Sequence, residues 1–111
     1  MADQNNDSPL VDLLAGMTAD SIDASNLDPE SLVLVRIAAL VAVDAPIASY
    51  VLNLDAVGDL GINPNRVQDV LAAVAPIVGT ARVVSAAVKI MQALGITIEL
   101  AILAAEADAN V

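Results

Sequence analysis

The sequence predicts an all-α protein, a compact bundle of about six helices that assembles as an oligomer. Three observations carry this expectation. Capping signals punctuate the chain at intervals of roughly 11 to 16 residues, a helical rather than a strand length. The apolar share is 58%, nearly all of it Ala, Val, Leu and Ile, with no Phe or Trp; ordinary globular domains hold roughly 45–50%. Stretches such as SLVLVRIAALVAV are apolar on every face except at Arg36, and a helix of that kind must be covered all round. A chain of 111 residues is one domain by length. One small core cannot hide so much apolar surface, so subunits must share it.

The elements follow in order. Ser8-Pro9 has the cap-then-proline order that opens helices, so PLVDLLAG reads as a short helix closed near Gly16. MTADSIDASN reads as an acidic connector. Asp28-Pro29 opens a second helix, with Glu30 placed to complement its dipole. Asp44 can cap a third, where Pro46 sits within the first turn; it runs to Leu60, and Gly61 supplies the left-handed closing residue. Asn63-Pro64 opens a fourth helix, with Pro76 in its last turn and Gly79 beyond it. Thr80 caps a fifth that ends at Gly95, and Thr97 starts a sixth. The expected organisation is an acidic segment with a short helix over 1–26, a helical domain over 27–95 and a C-terminal helix over 96–111.

Composition excludes several classes of function. Four basic against fourteen acidic residues give a net charge of −10, which leaves no basic surface for nucleic acid or for an anionic membrane. No uncharged apolar run reaches the roughly 18 residues of a membrane span. MADQNNDSPLVD lacks the basic start and apolar centre of a signal peptide, so a cytoplasmic protein is expected. The absence of Cys and His removes thiolate nucleophiles, imidazole acid–base catalysis and the usual zinc and haem ligands. No metal or cofactor is expected.

The stretch DAPIASYVLNLDAVGDLG holds the chemistry that remains. With LDPESLVLVRIAALVAV before it and NPNRVQDVLAAVAPIVGTARVVSAAVKIMQAL after it, it resembles the carboxymuconolactone decarboxylase family, which includes the AhpD-like alkylhydroperoxidases. The resemblance covers 27–94, about 70 of the 111 residues. It makes 27–95 the family-like domain and DAPIASYVLNLDAVGDLG the counterpart of the site helix. The family's redox branch carries C-x-x-C-x-x-x-H on that helix, its histidine eight residues before the closing glycine. Counted back from Gly61, Asn53 takes the histidine position, Ser49 the second cysteine and Pro46 the first; Leu34 falls near the branch's glutamate. All four positions depart from the pattern. Peroxide reduction needs a thiolate and a resolving thiol, and this chain has neither. The decarboxylase branch uses a histidine on the same helix, which Asn53 cannot replace in proton transfer.

Ser49 and Asn53, one turn apart, either satisfy one another and nearby backbone or line a pocket for a small apolar, carbonyl-bearing molecule. Tyr50, the sole aromatic, either donates to such a ligand or sits half-buried at an interface. Arg36 should face away from the Leu34 position and form a structural or inter-subunit ion pair rather than bind a ligand carboxylate, with Asp44, Asp55 and Asp59 as candidate partners within or across subunits. Arg66, Asp69, Arg82 and Lys89 read as solvated or interface charges, with Arg82 and Lys89 on one edge. Met17 and Met91 read as core filling. Two functions stand open: a non-redox relative that binds or transforms a small molecule in a helical pocket, and an assembly module that keeps only the fold. A homotrimer or homohexamer is expected in either case.

Overall fold

The structure, a computed structural model, describes residues 8–109. The described residues form five helices and no strand: α1 (Pro9–Ala24), α2 (Pro29–Val43), α3 (Ile47–Asp59), α4 (Asn65–Val78) and α5 (Thr80–Ala109). The helix count corrects the expected six. Gly95 does not end a helix; its φ is not positive, and α5 continues through it for 30 residues. A single interior glycine costs about 1 kcal/mol against alanine. Burial of Ile90 and Ala93 beside it outweighs that. Gly16 likewise lies inside α1, which absorbs most of the expected acidic connector.

The starts of α2 and the closures of α2 and α3 have clear local causes. Asp28 accepts the Ser31 backbone N–H at 3.1 Å and the Ser31 hydroxyl at 2.7 Å, satisfying one of the free amides at the start of α2. At the end of α3, Gly61 takes φ 69°, and the Ile62 N–H reaches back to the Val57 carbonyl at 3.0 Å. The same six-to-one closure ends α2, where Ala45 N–H bonds Leu40 O at 3.0 Å. There the left-handed residue is Asp44, at φ 54° and ψ 55°. Asp44 therefore closes α2 rather than capping α3, whose cap position belongs to Pro46. Aspartate visits the left-handed region more readily than most residues. Between α4 and α5 the chain turns on Gly79 alone, at φ 90° and ψ 161°, a conformation only glycine holds without strain.

The core lies among α2, α3, α4 and α5. Val33, Ile37 and Val41 project from α2 at near-helical spacing, and Tyr50, Leu54 and Val57 do so from α3. Val67 on α4 and Ala86, Ile90 and Ala93 on α5 close the cluster, with Ala45 and Ile62 contributed by connectors. Helix α1 has no buried residue; Leu10, Leu13, Leu14 and Met17 stand 50–64% exposed along one face. Met17 and Met91 are both exposed, so neither fills the core as expected.

Candidate functional site

An open groove of about 860 Å³ runs between α1, α2 and α3. Its walls are largely apolar: Ile22 from α1, Leu27 from the connector, Leu32 and Leu40 from α2, Leu52 from α3 and Leu60 just beyond it. Thr18, Arg36, Asn53 and Asp59 are its polar members. A pocket of this volume and lining is of the kind that takes a small organic molecule.

The candidate residues of the site helix do not converge on it. Asn53 lines the groove, half-buried, and donates Nδ2 to the Ser49 carbonyl at 2.9 Å. Its second amide hydrogen and its Oδ1 have no protein partner among the described residues. Ser49 is half-buried and outside the groove; only its backbone takes part. Pro46 and Leu34 are not on the groove wall either. Tyr50 is fully buried in the protomer's own core, so it is neither half-buried nor a groove residue. Burial raises its phenol above the usual value, and the negative charge of Asp44 adds to the shift. The Tyr50 hydroxyl has no hydrogen-bond partner among the described residues.

Arg36 lies in the groove with Asn53. It donates Nη2 to the Ser21 hydroxyl at 3.0 Å, tying α1 to α2. Within the protomer no ion pair joins Arg36 to Asp44, Asp55 or Asp59 among the described residues. The guanidinium keeps further N–H donors for the groove. Asp59, which sequence reasoning treated only as a partner for Arg36, puts one carboxylate on the same wall. The signal for this grouping is helical spacing: Asn53, Ala56 and Leu60 share a face that Tyr50, Leu54 and Val57 do not.

A second polar cluster closes the other end of α2. The Asp44 carboxylate accepts from the Ser85 hydroxyl at 2.8 Å and from Lys89 Nζ at 3.0 Å. Lys89 also donates to the Ala45 carbonyl at 2.9 Å, and Arg82 donates to the Ala42 carbonyl. Two cations at the carboxyl end of α2 complement its dipole; Arg82 takes up a carbonyl the helix leaves free, and Lys89 one just beyond it. They share one edge of α5, as their spacing implies. Arg66 pairs with Glu30 at 3.3 Å, both largely exposed, a contact of small energetic weight. The hydrogen bond from Ser85 and then that from Lys89 hold the Asp44 carboxyl below its usual value. A depressed carboxylate stabilises the fold above its unfolded pKa, about 4, and loses that contribution as pH falls through its folded value. Asp44→Asn keeps a residue tolerant of the left-handed conformation while removing the titration. The thermal midpoint of the wild type is therefore expected to fall more steeply than that of Asp44→Asn when the pH is lowered below about 4. Parallel melting curves across that range check this.

In comparisons with known proteins, no protein-family model, curated protein or solved structure matches the chain.

Proposed function

We propose that the chain is a divergent, carboxymuconolactone decarboxylase-like protein without redox chemistry, which binds a small apolar, carbonyl-containing molecule as a cytoplasmic homo-oligomer. The groove between α1, α2 and α3 carries this reading. Its apolar walls suit a hydrocarbon body, and the unengaged N–H groups of Arg36 and Asn53 suit a carbonyl oxygen. Asp59 adds a negative charge to the same groove, and the chain as a whole is at −10, so a neutral carbonyl is favoured over a free carboxylate. Among the described residues the only acid–base group of the groove is the Asp59 carboxylate, and its one hydroxyl, Thr18, donates to the Leu14 carbonyl and has no base beside it. Any transformation there is limited to steps that a shaped pocket and hydrogen-bond donors can promote.

The assembly-module alternative is favoured by one specific observation: Tyr50 fills the core, and α1 and α5 leave large apolar side chains uncovered. The two readings separate in a single titration. 2-Octanone added to isotopically labelled protein is expected to shift the backbone amide signals of Leu52, Asn53 and Ala56 saturably. Octanoate is expected to do so at least about tenfold more weakly, a difference of about 1.4 kcal/mol. The double substitution Arg36→Met with Asn53→Leu should abolish the response. Signals that stay unmoved by either compound leave the assembly module as the function.

A further inference from the structure

We propose that the outer face of α5 pairs antiparallel with α5 of a second copy, forming a short two-stranded coiled coil. The inference rests on the homo-oligomer reading above and supplies its surface. Val84, Val88, Met91, Gly95, Ile98 and Ile102 follow one another at spacings of four, three, four, three and four residues. That alternation is the heptad seam of a left-handed coiled coil. It spans about 27 Å of one continuous helix. Val84, Val88, Met91 and Ile102 are 50–73% exposed, while Ala86, Ile90 and Ala93, on the other side of the helix, are buried. At these four positions the seam is therefore spare apolar surface, not the face already packed on the core. The chain exposes 7454 Å². A compact monomer of its mass exposes about 5,700 Å². The difference exceeds the roughly 800 Å² per partner of a standard interface, and the α5 seam is part of it.

Charge sets the direction. The second half of α5 carries Glu99, Glu106 and Asp108, while the cations of the first half, Arg82 and Lys89, are taken up by the carboxyl end of α2. An antiparallel pair keeps the two acidic halves apart and opposes the two helix dipoles. A parallel pair would stack acidic end on acidic end in a chain already at −10. Side-chain size sets the register. Centring the two-fold between Met91 and Gly95 places Val84 against the second copy's Ile102. It also places Met91, the longest side chain of the exposed seam, against the second copy's Gly95. A Cβ at Gly95 would meet nothing within 4 Å in the protomer, so the hole is open to a knob from outside. The surface is self-complementary, which is what a two-fold contact between identical chains requires. Such a contact belongs to even-numbered assemblies, so of the trimer and hexamer only the hexamer contains it.

Native mass spectrometry of the wild type and of the Val88→Asp, Met91→Asp double variant tests the seam. Both side chains are exposed in the protomer, so the helical circular dichroism of the variant should be retained while its native mass is halved. An oligomeric wild type whose folded variant keeps the full mass overturns the seam and leaves the oligomer standing. A monomeric wild type overturns both. Direction is read by cross-linking, because the chain has no cysteine of its own. Val84→Cys co-expressed with Ile102→Cys is expected to give a disulfide-linked pair of the two variants on oxidation. Self-linking of Val84→Cys without mixed pairs would mean a parallel pair and contradict the proposal.

Discussion

Tyr50→Ala is expected to lower stability by about 3–5 kcal/mol, the cost of emptying a large buried aromatic site. Tyr50→Phe is expected to be neutral or to raise stability by about 1 kcal/mol. The contrast follows from two facts. Tyr50 is fully buried and is the largest such side chain of the core, standing in line with Leu54 and Val57 against α5. Its hydroxyl has no partner among the described residues, so the ring stabilises the fold while the oxygen gives part of that gain back. Urea denaturation of the three proteins measures both effects. A loss of more than about 1 kcal/mol in the phenylalanine variant would mean that the hydroxyl is bonded after all.

The second large effect is expected at Gly95. In a continuous α5, Gly95→Ala should stabilise by about 0.5–1 kcal/mol and Gly95→Pro should cost about 3 kcal/mol or more. If Gly95 instead closed a helix in the left-handed conformation, alanine would destabilise and proline nearby would be tolerated. Measured in the Val88→Asp, Met91→Asp background, where the proposed partner contact is absent, the sign of the alanine effect separates one 30-residue helix from two short ones. Space does not obstruct the test, since nothing in the protomer lies within 4 Å of an added Cβ.

What the sequence made legible, and what it did not, divides along the range of the interactions. Asp28-Pro29 and Gly61 act through neighbours within one turn, and the structure has them where local capping rules put them. Gly16 and Gly95 carry the same residue type, but there burial or helix continuity outweighs a local cost of about 1 kcal/mol. Asp44 illustrates the limit further. Followed by Ala-Pro, it reads as an N-cap, yet its role is decided by Ser85 and Lys89, forty residues away. The proposed α5 seam is illegible for the same reason as the α5 continuity: a helix ending at Gly95 is too short to show a heptad repeat.

The site was legible only in part. Counting back from Gly61 picked out Asn53, which does face the groove, together with Ser49, which does not. Helical spacing could have placed Tyr50 with Leu54 and Val57 on the core stripe, since the three recur at intervals of four and three. Arg36 was expected to point away from the site and pair with a carboxylate. It shares the groove with Asn53 and bonds Ser21 of α1, a contact invisible while 17–26 was read as a connector. Where Arg36 faces depends on how α1 lies, and no short-range pattern records that.

In the proposed reading the uncovered apolar faces of α1 and α5 are subunit interfaces around a ligand groove. A native mass spectrum of the purified wild-type protein decides this. The expected result is an even-numbered homo-oligomer, a hexamer where the α5 pairing joins two trimers, that gains mass reproducibly when 2-octanone is added. A monomer at micromolar concentration that takes up nothing would contradict it.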